Sequence, residues 1–380
     1  MENQVLEVYI RSVFSFVYLG TNKLFFTELR TDMGIMKINT VNSNSQIVPQ
    51  FTHITSLPGG EGWAGMYAGV SNGILFCFGG VNFPNKRPWE GGHKKWYDTI
   101  YMFQEGKDWV KLREKLPVPL GYGVSITYND KIIIVGGNNE KTYSDKVFEY
   151  EWTGQNLDFK CYPDLPVPLA HMSGALVNNL IIIAGGNNSS TGRAVKKCYI
   201  LDLEHIDEGW SELPSWPGKE RILSVCASHD GKFYLFGGET VELNAVNKSY
   251  RHILNDAYSL TPYKSIGQWT CLWRSLSPIP KGTSAGASPL PVLNNGKIVF
   301  WGGLDALTAL HADPKTHPGI SKDILLYNIS SDSWEYAGRE EDIAARVTLP
   351  VVYWNGHWTF ISGEVKPGIR SDTICKLNIS

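Results

Sequence analysis

The feature that most constrains this chain is a short apolar run that ends in a pair of glycines and occurs six times. The second glycine of the pair, or of Ser-Gly in the last copy, stands at positions 80, 137, 186, 238, 303 and 363, so the intervals are 57, 49, 52, 65 and 60 residues. Several runs follow an Asn-Gly or similar turn, as at Asn72-Gly73, and this pattern favours a β-hairpin. A regular spacing near 50 residues is typical of repeat architectures.

Each copy continues in a way that predicts two more strands. An aspartate introduces the third strand at Asp98, Asp256 and Asp323, and a tryptophan marks the fourth at 109, 210, 269 and 334. Four short antiparallel strands per copy describe the blade of a β-propeller. Residues 51–380 divided among six copies give about 55 residues per blade. We therefore predict an all-β, six-bladed β-propeller whose glycine pairs resemble those of kelch repeats.

The two ends of the repeat region predict how the ring closes. The last copy reaches residue 377 without a fourth strand, whereas an orphan strand at residues 51–57 precedes the first copy. We expect these segments to pair within one blade, which removes a free sheet edge. Residues 1–50 lack the repeat and include an Asn/Ser-rich piece at 39–46, typical of a loop or linker. They are interpreted as an N-terminal extension to a propeller of residues 51–380, with residues 1–35 predicted to lie outside the folded domain.

The composition limits the classes of partner and cofactor. A formal charge of −2 gives no general attraction to nucleic acid or to acidic membranes. No run approaches the roughly 18 apolar residues that a membrane helix needs. The six cysteines have no Cys-x-x-Cys spacing and the nine histidines no paired metal spacing, so we expect neither a metal nor another cofactor. The sequence does not indicate an oligomeric state.

The apolar stretch at residues 13–19 bears on the cellular location. Glu2, Glu7 and Arg11 make the segment before it net negative, and no small-residue cleavage site is evident. Both features disfavour a signal peptide. We therefore expect a cytoplasmic protein, with a periplasmic location as the alternative if this segment is a signal peptide.

The last copy carries chemistry that the other copies lack. Glu364 directly follows Ser362-Gly363, and Arg370 comes six residues later, beyond a Lys-Pro-Gly-Ile sequence that suits a type II turn. A strict two-residue hairpin would place Glu364 and Arg370 on opposite faces, so we expect an irregular hairpin if both bind one ligand. Because a loop after a second strand opens on the mouth of the central channel, these two residues are the first candidates for a site.

Other polar residues that follow second strands are candidates for binding the ligand. They are Asn82, Asn138, Glu239 and Asp305. Amides and carboxylates around one channel mouth suit a polyhydroxylated ligand, although each residue alone also suits an ordinary loop. The long loop at residues 82–97 contains aromatic residues that could stack on a sugar face, and long loops in compact folds are often functional. Residues 96–98 are better explained as the start of the third strand.

These residues resemble a known family. Residues 362–372 are similar to the Gly-Glu-x-Lys-Pro-Gly-x-Arg-x-Asp motif of the N-acetylneuraminate epimerases, the sialic acid mutarotases. Residues 65–83, 97–101 and 121–137 resemble further blocks of that family. The Glu–Arg motif ends this chain, whereas it lies mid-chain in the family's common order, so the chain resembles the circularly permuted branch. A closed ring tolerates this permutation because a cut between different blades leaves the same toroid.

The resemblance implies an enzyme that interconverts the α and β anomers of N-acetylneuraminate, a small sugar acid. Glu364 would be the general base, and Arg370 would clamp the substrate carboxylate with its planar fork. An arginine held against Glu364 would lower the pKa of that carboxyl, so the clamp role needs Arg370 to be spent on the substrate. The general acid stays open. A non-catalytic propeller that binds a glycan or a protein is the competing interpretation, and a copper oxidase without an evident His/Tyr ligand set is a third.

Overall fold

The computed structural model describes residues 28–31, 34–37, 49–190, 193–243, 249–309, 311 and 313–379. The chain forms two compact units, Met1–Ile47 and Val48–Ser380. In the first unit, strands Glu28–Thr31 and Gly34–Lys37 pair as an antiparallel hairpin. The segments at 13–19 and 39–46, on which the location and linker predictions rest, lie outside the described residues. The domain boundary at residue 50 stays a prediction.

The second unit contains six antiparallel sheets arranged as the blades of a propeller, which confirms the predicted fold class. Blades are numbered here by their glycine pair. Blade 1 contains strands Tyr67–Ser71, Ile74–Phe78, Thr99–Phe103 and Val110–Lys115. Blade 2 contains Val124–Tyr128, Lys131–Val135, Val147–Trp152 and Leu157–Cys161. Blade 3 contains Ser173–Val177, Leu180–Ala184, Cys198–Asp202 and Ser211–Leu213. Blade 4 contains Val225–His229, Lys232–Phe236, Ala257–Ser265 and Gln268–Leu276.

Blade 5 departs from the predicted four strands. Within the described residues its sheet has three, which are Lys297–Trp301, Asp323–Asn328 and Ser333–Arg339. The segment in place of the first strand contains Pro289 and Pro291, which lack the N–H group that a β-ladder needs. That segment keeps an isolated bridge from Val292 to Ile298.

Blade 6 closes the ring with strands from both ends of the propeller. Its sheet order is Val351–Trp354, His357–Ile361, Thr373–Ile379 and Pro49–Ser56. The pairing of the last two strands is antiparallel and runs from Pro49 opposite Ile379 to Ser56 opposite Thr373. The predicted closure by an N-terminal outer strand is therefore confirmed.

Among the described residues of the second unit, three short hairpins and three short helices lie outside the blade sheets. The hairpins pair Val81–Asn82 with Lys95–Trp96, Glu239–Leu243 with Ser249–Ile253, and Glu364–Lys366 with Ile369–Arg370. The helices are the 3₁₀ turns Pro88–Glu90 and Ile206–Glu208 and the α-helical turn Ala306–Ala309. None of the helices in the described ranges is long and apolar enough to cross a membrane.

The core is divided among the interfaces between neighbouring blades. Each of six buried apolar clusters contains side chains of two adjacent blades. The closing strand contributes Phe51, whose ring stacks on Trp301 of blade 5 at 3.9 Å between centroids and meets Phe360 of blade 6 edge-on at 5.3 Å. Aromatic contacts of this kind make the N-terminal strand part of the core and not only an edge cover.

A closed ring of backbone hydrogen bonds surrounds the central channel. Its members, one per blade, are Gly65, Tyr122, His171, Leu223, Ala285 and Thr348. Each N–H donates to the carbonyl oxygen of the equivalent residue in the preceding blade, at 2.6–2.8 Å. All six residues have a left-handed backbone, with φ between 53° and 61°, which costs about 1–2 kcal/mol for a residue other than glycine. They line a cavity of about 80 Å³.

Candidate active site

One position in each blade lies beside this ring, directly after the glycine pair. There the backbone forms an isolated bridge to the residue that precedes the ring member of the same blade. We call these the rim positions, and they are Val81, Asn138, Asn187, Glu239, Leu304 and Glu364. Of the predicted site residues, Asn138, Glu239 and Glu364 occupy rim positions. Asn82 and Asp305 each stand one residue further along the chain.

Glu364 and Arg370 face each other across a short irregular hairpin. The strands Glu364–Lys366 and Ile369–Arg370 pair with a register shift after Glu364, so that Glu364 lies opposite Arg370. Directly opposed residues of an antiparallel pair project to the same face. Arg370 Nη2 accordingly lies 2.6 Å from Glu364 Oε2. The hairpin is irregular, as expected, and Gly368 adopts the positive φ, 77°, that a type II turn requires.

The Arg370 guanidinium is buried and keeps unused donors. Its side chain is 5% exposed, and its Cζ lies 4.7 Å from the centre of the Phe83 ring. Nε and Nη1 have no hydrogen-bond partner in the part of the chain that the structure describes, although an unpaired buried donor typically costs about 1–3 kcal/mol. The predicted clamp role required Arg370 to be free of Glu364. The two side chains are in contact instead, because the register shift brings the Glu364 carboxylate to the same face as Arg370. Two of its nitrogens nevertheless remain for a ligand.

The Glu364 carboxyl is more basic than an exposed glutamate. Burial raises its pKa above the ordinary value, and the charges of Arg370 and Lys94 and a hydrogen bond from the Gly368 backbone N–H only partly offset that rise. Desolvation favours the neutral acid, whereas nearby cations favour the carboxylate. Glu364 therefore combines a neighbouring cation with the basicity that proton abstraction needs.

The Ser362 hydroxyl anchors the loop that carries this pair. Its Oγ accepts a hydrogen bond from the Trp63 backbone N–H at 2.8 Å and lies 2.8 Å from the Ser371 carbonyl oxygen. Ser362 is fully buried. The serine that replaces the usual glycine therefore connects the beginning and the end of the Glu364–Arg370 loop.

Lys94 is a second cation at the mouth of the channel. Its Nζ lies 5.6 Å from the centre of the Trp96 ring and 5.4 Å from that of Tyr122, at distances typical of cation–π contacts. Its charge lowers the pKa of both Glu364 and His171. Lys94 therefore links the blade 6 side of the mouth to the blade 3 side.

The aromatic loop at residues 82–97 differs from its predicted structure. Residues 96–98 do not begin the third strand, because Lys95–Trp96 pairs with Val81–Asn82 in a separate hairpin and the third strand starts at Thr99. The turn at Gly79-Gly80 redirects the chain between the two pairings. The loop consequently brings Phe83 and Lys94 to the site.

Asn82 and Asn138 are buried polar groups at the mouth. Asn82 donates to Glu61 Oε2 at 3.1 Å and accepts from the Tyr97 hydroxyl at 2.8 Å. Asn138 lies beside the Tyr143 hydroxyl, whose pKa is raised by burial and lowered by hydrogen bonds to Asn187 and Asn138. The Asn138 Oδ1 has no partner within the described ranges. Both amides therefore belong to polar networks, and Asn138 keeps an acceptor.

Glu239 is buried and engaged by two partners. Its Oε1 accepts a hydrogen bond from Ser284 Oγ at 2.6 Å, and its Oε2 lies 3.3 Å from Arg251 Nη1. Arg251 lies on the returning strand of the blade 4 hairpin, and its charge also lowers the pKa of His171 and Tyr143. Glu239 thus holds a third cation at the mouth.

Asp305 is occupied by a turn. Its Oδ1 accepts hydrogen bonds from the Leu307 and Thr308 backbone N–H groups at 3.0 and 2.8 Å and from the Thr308 hydroxyl at 2.9 Å. These are the contacts of a residue that caps a helix, here the turn Ala306–Ala309. Among the described residues, none of its hydrogen bonds reaches Glu364 or Arg370, so the structure does not bring Asp305 to that pair.

The sequence matches a family model described as N-acetylneuraminate epimerase over residues 27–159 and 162–309. The chain belongs to the N-acetylneuraminate epimerase family. The matched residues contain five of the six rim positions, all except Glu364. Arg370 also lies beyond them, so the Glu364–Arg370 pair of this epimerase-family protein rests on its own geometry.

Individual relatives are similar over parts of their length. An N-acetylneuraminate epimerase of Salmonella enteritidis PT4 (strain P125109) is 40% identical over 90 residues, 21% of this chain and 23% of that protein. One of Escherichia coli O9:H4 (strain HS) is 27% identical over 212 residues, 50% of this chain and 54% of that protein. The chain thus matches about a quarter to half of these relatives' lengths. The solved structure of YjhT has a TM-score of 0.62 at 15% identity, over 86% of this chain and 99% of that one, and shows the shared fold.

Among the site residues that sequence reasoning missed in this epimerase-family propeller are Asn187 and His171. Asn187 occupies the rim position of blade 3, and its Oδ1 lies 2.9 Å from Nδ1 of the ring member His171. Asn187 follows Gly185-Gly186 just as Asn138 follows Gly136-Gly137, so the same signal could have found it. His171 carries no such signal, because its place depends on the ring of backbone hydrogen bonds.

Proposed function

We propose that this protein interconverts the α and β anomers of N-acetylneuraminate. The observation that carries the proposal is the 2.6 Å contact between the partly buried Glu364, whose pKa is raised, and the partly unpaired Arg370. In this sugar acid the carboxylate and the anomeric hydroxyl are attached to the same carbon. A base for the hydroxyl and a cation for the carboxylate must therefore be neighbours, as they are here. Family membership supports the same substrate.

The chemistry needs a proton acceptor next to a bound carboxylate. Glu364 takes the proton of the anomeric hydroxyl, the bond between the anomeric carbon and the ring oxygen breaks, and the ring oxygen takes up a proton. The anomeric carbon becomes a ketone, and the ring then closes on its other face with the proton transfers reversed. A raised pKa makes Glu364 a better base for the hydroxyl, while Arg370 holds the carboxylate through one of its two unpaired donors, Nε or Nη1.

An NMR time course tests the proposal against a propeller that only binds sugars. Freshly dissolved N-acetylneuraminate starts as one anomer, and its approach to equilibrium can be followed with and without the protein. We expect the protein to accelerate the approach in proportion to its concentration. An unchanged time course would contradict the proposed activity.

Replacing Arg370 with lysine should mainly weaken substrate binding. Lysine keeps the positive charge beside Glu364 but loses the planar fork. The loss of a charged hydrogen bond is worth about 1.5–3 kcal/mol, which corresponds to roughly a 10- to 150-fold rise in KM. KM and kcat would be measured by exchange NMR. Arg113→Lys, at an exposed position on the outer strand of blade 1, is the matched control and should leave both constants unchanged.

The pH dependence of exchange should report Glu364. Because burial raises its pKa, activity should fall on acidification at a higher pH than for an ordinary glutamate. Lys94→Met removes a charge that lowers this pKa, so the acidic limb of kcat/KM should move to higher pH. Lys95→Met is the control, since the Lys95 Nζ lies 4.9 Å from the Tyr97 ring instead. A limb that stays in place, or moves to lower pH, in Lys94→Met would contradict the assignment of that limb to Glu364.

A further inference from the structure

The His171–Asn187 pair lies on the opposite side of the channel from Glu364. Asn187 and Glu364 occupy the rim positions of blades 3 and 6, which are three blades apart in a ring of six. His171 and Thr348 are likewise opposed in the ring of backbone hydrogen bonds. A ligand that presents one end to Glu364 therefore presents its far end to this pair.

The hydrogen bonds of Asn187 determine which nitrogen of His171 carries the proton. Asn187 Nδ2 donates to the Ser189 carbonyl oxygen at 3.0 Å, so Oδ1 is the atom that faces His171 Nδ1 at 2.9 Å. An amide oxygen only accepts, and Nδ1 must therefore be the donor. The lone pair is then on Nε2, which has no hydrogen-bond partner in the described part of the chain.

The surroundings keep this imidazole neutral. Burial lowers the pKa of His171, the hydrogen bond to Asn187 opposes this decrease, and the charges of Arg251 and Lys94 add to it, so that the pKa is about 4. The Tyr122 ring packs against the imidazole, with 4.8 Å between the ring centroids. This contact helps to hold the orientation of the imidazole. At neutral pH, His171 is thus an oriented acceptor at a mouth whose cations, Lys94, Arg251 and Arg370, can only donate.

We propose that His171 Nε2 recognises the acetamido N–H group of the substrate and that Asn187 fixes the tautomer required. In the pyranose form of N-acetylneuraminate, the ring carbon opposite the anomeric carbon carries the acetamido group. With the anomeric carbon at Glu364, this N–H is directed to the blade 3 side of the mouth. The inference rests on the proposed function and makes His171 a specificity-determining residue.

A ligand and variant cycle tests the contact. The probes are N-acetylneuraminate and its analogue with an azido group in place of acetamido, which keeps the nitrogen but has no proton. We expect the wild type to bind the acetamido sugar about tenfold more tightly, as for one neutral hydrogen bond in a desolvated site. His171→Phe keeps the ring against Tyr122 and removes the acceptor, so most of this preference should disappear. An undiminished preference in the variant would overturn the inference.

A second variant and a spectroscopic measurement cover the case in which His171→Phe does not fold, since His171 has a φ of 57°. Asn187→Leu should reduce the same preference by releasing the tautomer. In ¹⁵N NMR of the full-length wild type, His171 should be protonated at Nδ1, and its Nε2 shift should respond to the acetamido sugar but not to the azido sugar. Protonation at Nε2 instead would overturn the inference.

The outcomes separate this inference from the proposed function. Anomer exchange with equal binding of the two sugars refutes only the role of His171. Preferential binding of the acetamido sugar without exchange refutes only the catalytic proposal and supports the recognition site.

Discussion

Replacing Glu364 with glutamine should slow anomer exchange about 10²- to 10⁴-fold, the usual contribution of a general base. Glutamine keeps the size of the side chain and can still accept a hydrogen bond from Arg370, but it cannot take a proton. Substrate binding should therefore persist. The measurement is exchange NMR at saturating N-acetylneuraminate, with binding followed separately by calorimetry.

The matched control is Glu140→Gln, an exposed carboxylate two residues beyond the rim position Asn138. It should leave exchange unchanged. Wild-type exchange in Glu364→Gln would show that another group removes the proton. The next candidate would be Glu239, the other carboxylate at a rim position, whereas Asp305 is already occupied by capping a helix.

Removing residues 1–57 should abolish cooperative folding of the propeller. The deletion takes away the strand Pro49–Ser56, leaves Thr373–Ile379 as an unpaired edge, and removes Phe51 from between blades 5 and 6. Unpaired edges favour association between chains. The expected result in size-exclusion chromatography and thermal unfolding is aggregation or a lost transition. A chain that begins at Val48 keeps the whole strand and is the reference.

A graded version of the same experiment uses single substitutions in the closing strand. Phe51→Ala should lower the free energy of unfolding by about 3–5 kcal/mol, as for a large buried side chain. Gln50→Ala, at the neighbouring exposed position, should change it by no more than about 0.5 kcal/mol. If Phe51→Ala were as mild as Gln50→Ala, or the 1–57 deletion melted like its reference, the strand would not be needed for closure.

The propeller could be predicted because its repeat consists of residue types whose structural preference depends on their neighbours in the sequence. Asn-Gly turns and glycine pairs specify hairpins and sharp turns from neighbouring residues alone. Closure followed from a missing strand at one end and a surplus strand at the other. Blade 5 was over-predicted because its count was taken from the repeat, although Pro289 and Pro291 were visible where the first strand should be.

The Glu364–Arg370 pair was found because both residues lie in one unusual loop. Their direct contact was not predicted, since it depends on a register shift that side-chain types do not specify. Asp305 was assigned to the ligand although Asp305 and Thr308 stand where a helix cap and its partner belong. That signal is local and could have been used.

The His171 side of the mouth could not be found in the same way. The ring of left-handed residues includes Leu223 and Thr348. Leucine and threonine do not favour a positive φ, so their residue types do not predict this conformation. Their conformation is imposed by hydrogen bonds between ring members that lie about 50 to 65 residues apart along the chain and, from Gly65 to Thr348, between the first and last blades. Only the assembled ring places His171 across the channel from Glu364.

The most direct test of the proposed activity is selective-inversion NMR on N-acetylneuraminate at anomeric equilibrium, with increasing protein concentration. It measures exchange between the α and β anomers without a change in overall composition. The exchange rate should rise linearly with wild-type protein and fall to near the spontaneous rate with Glu364→Gln. A wild-type rate that stays at the spontaneous value while the sugar resonances broaden on binding would contradict the proposed activity and would identify a propeller that binds the sugar without acting on it.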